Sequence, residues 1–303
     1  MLLNKISKTR IIKMKFHNKA LKFKFFHQAG LAGILLMTLN TSLAAIMEVA
    51  PELVEPAEDG QCALIEALEN ANQTANHRDC ALGDLADNTI LLAPASRYVL
   101  NRVYRNSELG PNGLPTITSK MVIDGRGATI TRDSQAPNFR ILFVKGPFPY
   151  NESPQGVITL RDITLSNGRA VTEDVFFIAI DHTTSGGNVH NAGGKLTIKN
   201  SMITDGIASH HGGGIFNQGI FVGEQLIFAS NSAGSGGGLA SYLSADVRLE
   251  NSIFTENLAN DYGGGLYSHV YSPTLSQCTF ANNIATTGPG SYTRTFNTKQ
   301  SLQ

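Results

Sequence analysis

The chain has 303 residues, with 24 Lys/Arg balancing 24 Asp/Glu. Its composition is that of an ordinary soluble protein, and its length makes one elongated domain the natural expectation. The balance hides a division: residues 1–28 carry eight Lys/Arg and no acid, which leaves 16 basic against 24 acidic residues from Ile46 onward, a net of −8. So acidic a remainder, with no basic run, excludes nucleic acid and anionic membrane surfaces as expected partners.

An apolar run over residues 29–39 follows the basic start, and Ser42-Leu43-Ala44 places small residues ahead of a cleavage point. That order predicts a secretory signal peptide over residues 1–45. The run is shorter than the ~20 residues that a bilayer span needs, so no membrane span is expected in the mature chain. The chain is therefore expected to be exported: extracellular, at the cell surface, or associated with an outer membrane. Residues 46–59 hold five acids and two prolines and read as a flexible acidic linker.

Leu64, Ile65, Leu68 and Ala71 fall at helical spacing. Residues 60–87 are expected to form an N-terminal cap, because a solenoid leaves its first apolar coil open unless something closes it. Cys62 and Cys80 flank this helix and, in an oxidising compartment, are candidates for a disulfide. Strand-like runs follow at residues 89–92, 98–100, 121–123, 128–131 and 140–144. Turn signals at Asp124-Gly125 and Arg126-Gly127 separate the third from the fourth.

The second half of the chain is a repeat. Gly-Gly-Gly-aliphatic recurs at 212–215, 236–239 and 263–266, and Phe-x-x-Asn at 228–231, 254–257 and 280–283, its asparagines 26 residues apart. A fixed period in this range predicts a solenoid with one coil per repeat. Alternating runs at 157–160 and 195–198 supply strands, and no 3.6-residue apolar period is present. The fold class is therefore all-β, a right-handed parallel β-helix over residues 88–303 with an N-terminal helical cap. Aligned coils place Asp162, Asn200, Gln225, Asn251 and Gln277 in one column, expected to be an amide ladder at a turn. Leu165, Ile203, Phe228, Phe254 and Phe280 form a second column, expected to be an apolar stack. Asn188 stands where later coils have their third glycine, which fits a position of positive φ. Cys278 shares a column with Ser201, Leu226 and Ser252 and reads as a small buried filler, with an intermolecular disulfide as the alternative.

One coil is longer than the rest. Its excess lies around residues 171–185 and contains Phe176 to His182. Insertions in solenoids often map to a binding face, so Asp181, His182, His210 and His211 are the candidate groove residues. No convergent metal-ligand set and no cofactor motif stands out. No pair of acids in the repeat region marks itself as a glycoside-cleaving pair, and no Gly-x-Ser-x-Gly elbow occurs. After Gly288-Pro289-Gly290 the repeat word degrades into a polar end with no cap, so either the chain is a fragment of a longer protein or a partner pairs with the last coil.

The segment Gly60-Gln-Cys62-Ala-Leu-Ile-Glu66-Ala-Leu68, with Asn70-Ala71-Asn72 and then Cys80, resembles the CSLREA domain found at the front of exported bacterial β-helix proteins. The resemblance continues through Asn88-Thr-Ile90, Leu114-Pro-Thr-Ile117, Ile123 to Ile130 and Phe139-Arg-Ile141. Ala63 and Ile65 depart from the family's Ser and Arg. The glycine and Phe-x-x-Asn words are similar to the repeats of polymorphic outer membrane proteins. Together these resemblances imply a pectin-lyase-like β-helix on an exported protein and imply no catalysis. The expected function is an adhesin-like or structural module that binds glycan or surface protein along its wall. A polysaccharide lyase or glycoside hydrolase is the alternative, and a purely structural spacer is a third reading.

Overall fold

The computed structural model describes residues 45–83, 88–107, 109–146, 156–171, 182–242, 245–269 and 271–294, all within the compact unit from Ser42 to Gln303. The expected signal peptide lies outside the described residues except for Ala45. The chain is mostly strand, in parallel sheets that it visits in rotation. An eleven-stranded sheet has as its spine Ile46–Glu48, Asn88–Leu91, Lys120–Arg132, Val157–Ser166, Lys195–Thr204, Ile220–Ala229, Asp246–Glu250 and Thr274–Ser276. A six-stranded sheet runs from Leu142–Lys145 through Val189–Ala192, Ile215–Asn217, Leu239–Ser241 and Leu266–His269 to Ser291–Arg294. A four-stranded sheet joins Arg169–Ala170, Ile207–Ala208, Ser232–Ser235 and Leu258–Tyr262. An antiparallel pair, Arg105–Ser107 with Gly110–Asn112, stands apart.

Alternation explains how each strand divides its side chains. In Lys195–Thr204, Leu196, Ile198 and Ile203 are fully buried, while Lys199 and Asn200 face out. The apolar stack is continuous: Leu165, Ile203, Phe228, Phe254 and Phe280 are register partners on successive strands. The rings of Phe228 and Phe254 lie 4.4 Å apart at 3°, and those of Phe254 and Phe280 4.8 Å apart at 9°. These distances are close to the spacing of hydrogen-bonded strands.

The amide ladder lies elsewhere than expected. Asp162, Asn200, Gln225, Asn251 and Gln277 all adopt positive φ at a bend of the long strands. Only Asn200 and Asp162 bond to one another through their side chains. The continuous ladder is made by the asparagines of Phe-x-x-Asn. The Nδ2 of Asn231 donates to Oδ1 of Asn257 (2.9 Å), and that of Asn257 to Oδ1 of Asn283 (2.9 Å). Each amide also receives a backbone N–H from the coil before it. A ladder inside the tube satisfies backbone groups that no water reaches, whereas amides at the outer bend are free to bond to solvent.

Asn188 is likewise explained differently. Positive φ belongs to the first glycine of each word, Gly186, Gly212, Gly236, Gly263 and Gly288, and Asn188 lacks it. The third glycine is small for a steric reason. A Cβ on Gly238 would sit 2.9 Å from the Phe254 ring and 3.3 Å from the Asn257 amide. In the coil of Asn188 the ladder position is Gly206, which has no side chain, and the Asn188 amide fills that rung. Its Oδ1 accepts from Gly168 N (2.8 Å), and its Nδ2 donates to Thr204 O (2.9 Å).

Two local expectations are corrected. The segment read as a flexible acidic linker opens with the strand Ile46–Glu48, paired in parallel with Asn88–Leu91, and Met47 is fully buried. The turn signals between residues 124 and 127 do not separate two strands. Lys120–Arg132 runs through them as one strand with a register shift between Asp124 and Ala128. The helix forms at Leu64–Asn72, with Leu64, Ile65, Leu68 and Ala71 all buried, and the Glu66 carboxylate accepts from Ala63 N (2.9 Å) at its start. Cys62 and Cys80 form the disulfide, their Cα atoms 4.7 Å apart. Cys278 is half-buried against the core. Its Sγ lies 3.4 Å from Ser276 O, as the hydroxyls of Ser201 and Ser252 bond to Lys199 O and Glu250 O in their own coils.

Candidate functional site

Two surfaces gather side chains with chemistry. The first is the outer side of the six-stranded sheet. There Phe143, His190, Phe216, Ala240, Tyr267 and Tyr292 are successive register partners, opposite in sense to the core residues Val189, Ile215, Leu239 and Leu266. His190 is fully buried, packs edge-on against Phe143 at 5.2 Å, and donates from Nε2 to Gln218 Oε1 (3.0 Å). It is a wall residue, packed rather than exposed.

Of the predicted histidines, His211 meets this surface. Asp181 lies outside the described residues. His182 begins a 3₁₀ turn, His182–Thr184. His210 Nδ1 lies 2.6 Å from the Thr184 hydroxyl, so the end of the long insert does reach His210. His211 leaves that pair and joins the aromatics, 4.5 Å from the Tyr242 ring and 5.9 Å from Phe216. The residues that sequence reasoning did not bring together with His211 are Tyr242, Tyr267, His269 and Arg294. Tyr242 stacks on His269 at 4.8 Å, and its hydroxyl lies 3.4 Å from His211 Nδ1. Burial pushes the Tyr242 hydroxyl well above its ordinary value, Tyr267 adding to the effect, and burial raises Tyr267 as well. Burial first, and then the Arg294 charge, hold His269 below its ordinary value. These phenols stay protonated, and this histidine stays neutral, near pH 7. The repeat itself gave the signal for Tyr267, since it shares the His190 column. Tyr242 stands just after its strand, and His269 and Arg294 end theirs, all beyond the recurring words.

The second surface is an open groove of about 490 Å³ at the outer bend of the long strands. Arg126, Asp162, Asn200 and Gln225 line it on one side, and Thr164, Met202 and Ile227 on the other. The Arg126, Gln225, Asn251 and Gln277 side chains make no hydrogen bond within the described chain. Ile227 and Ile253, register partners, are 38% and 42% exposed. The residue preceding each bend forms a charged column of Asp124, Arg161, Lys199, Glu224 and Glu250. Arg161 pairs with Asp124 (2.8 Å) and Lys199 with Glu224 (2.7 Å). Glu224 and Glu250 sit one rung apart, and Glu224 is tied to Lys199 on the open wall.

Among the described residues no group of three or more His, Cys, Asp or Glu converges as a metal site, and no helix is long and apolar enough to cross a membrane. Compared with family models, curated proteins and solved structures, the chain matches none of them.

Proposed function

We propose that this chain is an exported β-helix module, cell-surface or secreted, which holds glycan or protein against its wall. In this reading the coils wind right-handed, as in pectin-lyase-like proteins. The helix Leu64–Asn72, pinned by the Cys62–Cys80 bridge, is the cap that the similarity to the CSLREA domain implies. The repeats are those of an adhesin-like protein similar to polymorphic outer membrane proteins. The observation that carries the proposal is the groove at the outer bend, where polar side chains, Gln225 without a hydrogen bond in the described chain, stand rung by rung beside apolar ones. The bridge is consistent with an oxidising compartment. The strand Ile46–Glu48 follows directly on the predicted signal peptide. The test is to express the whole chain in a bacterium with an outer membrane, fractionate the cells, and sequence the N-terminus of the product. An exported product beginning near Ile46 is expected; a full-length chain held in the cytoplasm would overturn the proposal.

A second reading, a carbohydrate-active enzyme, draws on the cluster of His211, Tyr242, Tyr267 and Arg294. Imidazole, protonated phenol and guanidinium are groups that can move a proton and stabilise a carboxylate. Its test is any depolymerisation that Tyr242→Phe and His211→Ala both abolish.

A further inference from the structure

The groove supports a narrower statement about its occupant, which rests on the wall-binding reading above. The rungs of Arg161, Lys199, Glu224 and Glu250 present three outward positions in fixed order: a charged residue, a polar residue at the positive-φ bend, and a residue that becomes apolar along the sheet. The third column runs Thr129, Thr164, Met202, Ile227, Ile253 and Thr279. The positive φ of the middle residue turns its side chain to the outside, and the adjoining inward positions Ile163 and Leu226 stay buried. The groove is thus a built feature of the bend and recurs in every long strand.

Its electrostatics select against charged ligands. One cation, Arg126, and one anion, Asp162, line it. The charges beside it cancel in the pairs Arg161–Asp124 and Lys199–Glu224, and Glu250 of that column stands one rung beyond the groove. A polyanion or polycation would gain nothing net from such a strip and would meet repulsion from one partner of each pair. What the strip offers instead is one amide and one apolar face per rung, about 4.8 Å apart. A linear sugar chain has that alternation: hydroxyls at the ring edges, C–H groups on the ring faces, and a ring about as long as one rung. We infer that the groove from Arg126 to Ile227 binds a neutral linear polysaccharide lying along the stacking direction. The amides of Asn200 and Gln225 take its hydroxyls, and Met202 and Ile227 take its ring faces.

The experiment measures binding of the exported protein to a soluble neutral β-glucan and to polygalacturonate, for wild type and for three variants. Ile227→Asp and Gln225→Ala alter the groove. Ile220→Asp places the same charge on the same strand at an equally exposed position, 36% accessible, away from the groove. The expected result is binding of the neutral glucan by wild type and Ile220→Asp, and a loss of about tenfold or more in Ile227→Asp, with a smaller loss in Gln225→Ala. Unchanged glucan binding in both groove variants would place the contact elsewhere on the wall and overturn this inference, leaving the wall-binding reading intact. Preference for polygalacturonate would overturn the assignment of a neutral ligand. Failure of the folded wild type to bind either polymer would overturn the inference. Absence of any surface partner as well would bring down the reading beneath it.

Discussion

Asn188 and Gly206 act as one unit at the scale of single residues. The amide that later coils place in Phe-x-x-Asn is supplied here from the glycine word, and the two positions exchange side chains across a shared rung. Asn188→Gly would make the repeat more regular and yet should destabilise the protein. It leaves Gly168 N without its acceptor inside the wall, a cost of about 1–3 kcal/mol by denaturant titration. No loss on this substitution would mean that the rung is filled in another way. Asn257→Ala, in the ladder interior, should cost at least as much, since two neighbouring N–H donors, at Asn231 N and Asn231 Nδ2, lose their acceptor. His269 gives a pH dependence whose sign follows from its surroundings. Its folded value lies below the ordinary 6.5, so the unfolded chain takes up the proton first. Its contribution to stability is therefore present above that pH and is lost as pH falls through 6.5 toward the lower folded value. His269→Phe should flatten the acid loss of melting temperature in that window, and an unchanged slope would remove His269 as its source. At this scale the sequence was least informative. It showed that position 188 was exceptional, but not that a missing amide eighteen residues away was the reason, because that depends on which rungs face one another.

At the scale of elements, the phenylalanine stack and the bridged helix carry the clearest consequences. Phe254 is fully buried between two parallel rings, so Phe254→Ala should cost about 3–5 kcal/mol, read as a fall in unfolding free energy. The helix is held by more than its apolar face. Asn72 Nδ2 donates to Thr116 O (2.8 Å), and its Oδ1 accepts from Thr118 N (3.0 Å), so one side chain pairs with the backbone as a strand would. Asn70 braces the returning loop through His77 and Ala81. The bridge closes a loop of separation 18, and its reduction should cost about 3 kcal/mol by the chain-entropy account. An unchanged melting temperature after reduction would show that Asn70 and Asn72 hold the loop without it. The helix, its buried face, the bridge and the phenylalanine column were all legible in the sequence, since each is a local period or a pair of cysteines. The strand at Ile46–Glu48 was not, because its acids and prolines mask one buried methionine.

At the scale of the molecule, repeat length set the architecture and left the binding surface open. Coils of equal length keep the columns in register, so the long sheet and its apolar interior follow from the period alone. The loops between coils vary, and they decide which outer side chains meet. That is why His210 and His211, adjacent in sequence, part company: one meets Thr184 and the other an aromatic cluster whose members come from separate coils. The groove at the bend was half visible, as a column of Asp, Asn and Gln assigned to a ladder. Its exposure and its apolar partner column required the fold. The central proposal, a wall that binds without cleaving, is tested most directly by incubating the folded, oxidised protein with a panel of neutral and acidic polysaccharides and following chain length. Retention of polymer with no shortening is the predicted result. Turnover of any one polymer would contradict the account and move attention to His211, Tyr242 and the residues beside them.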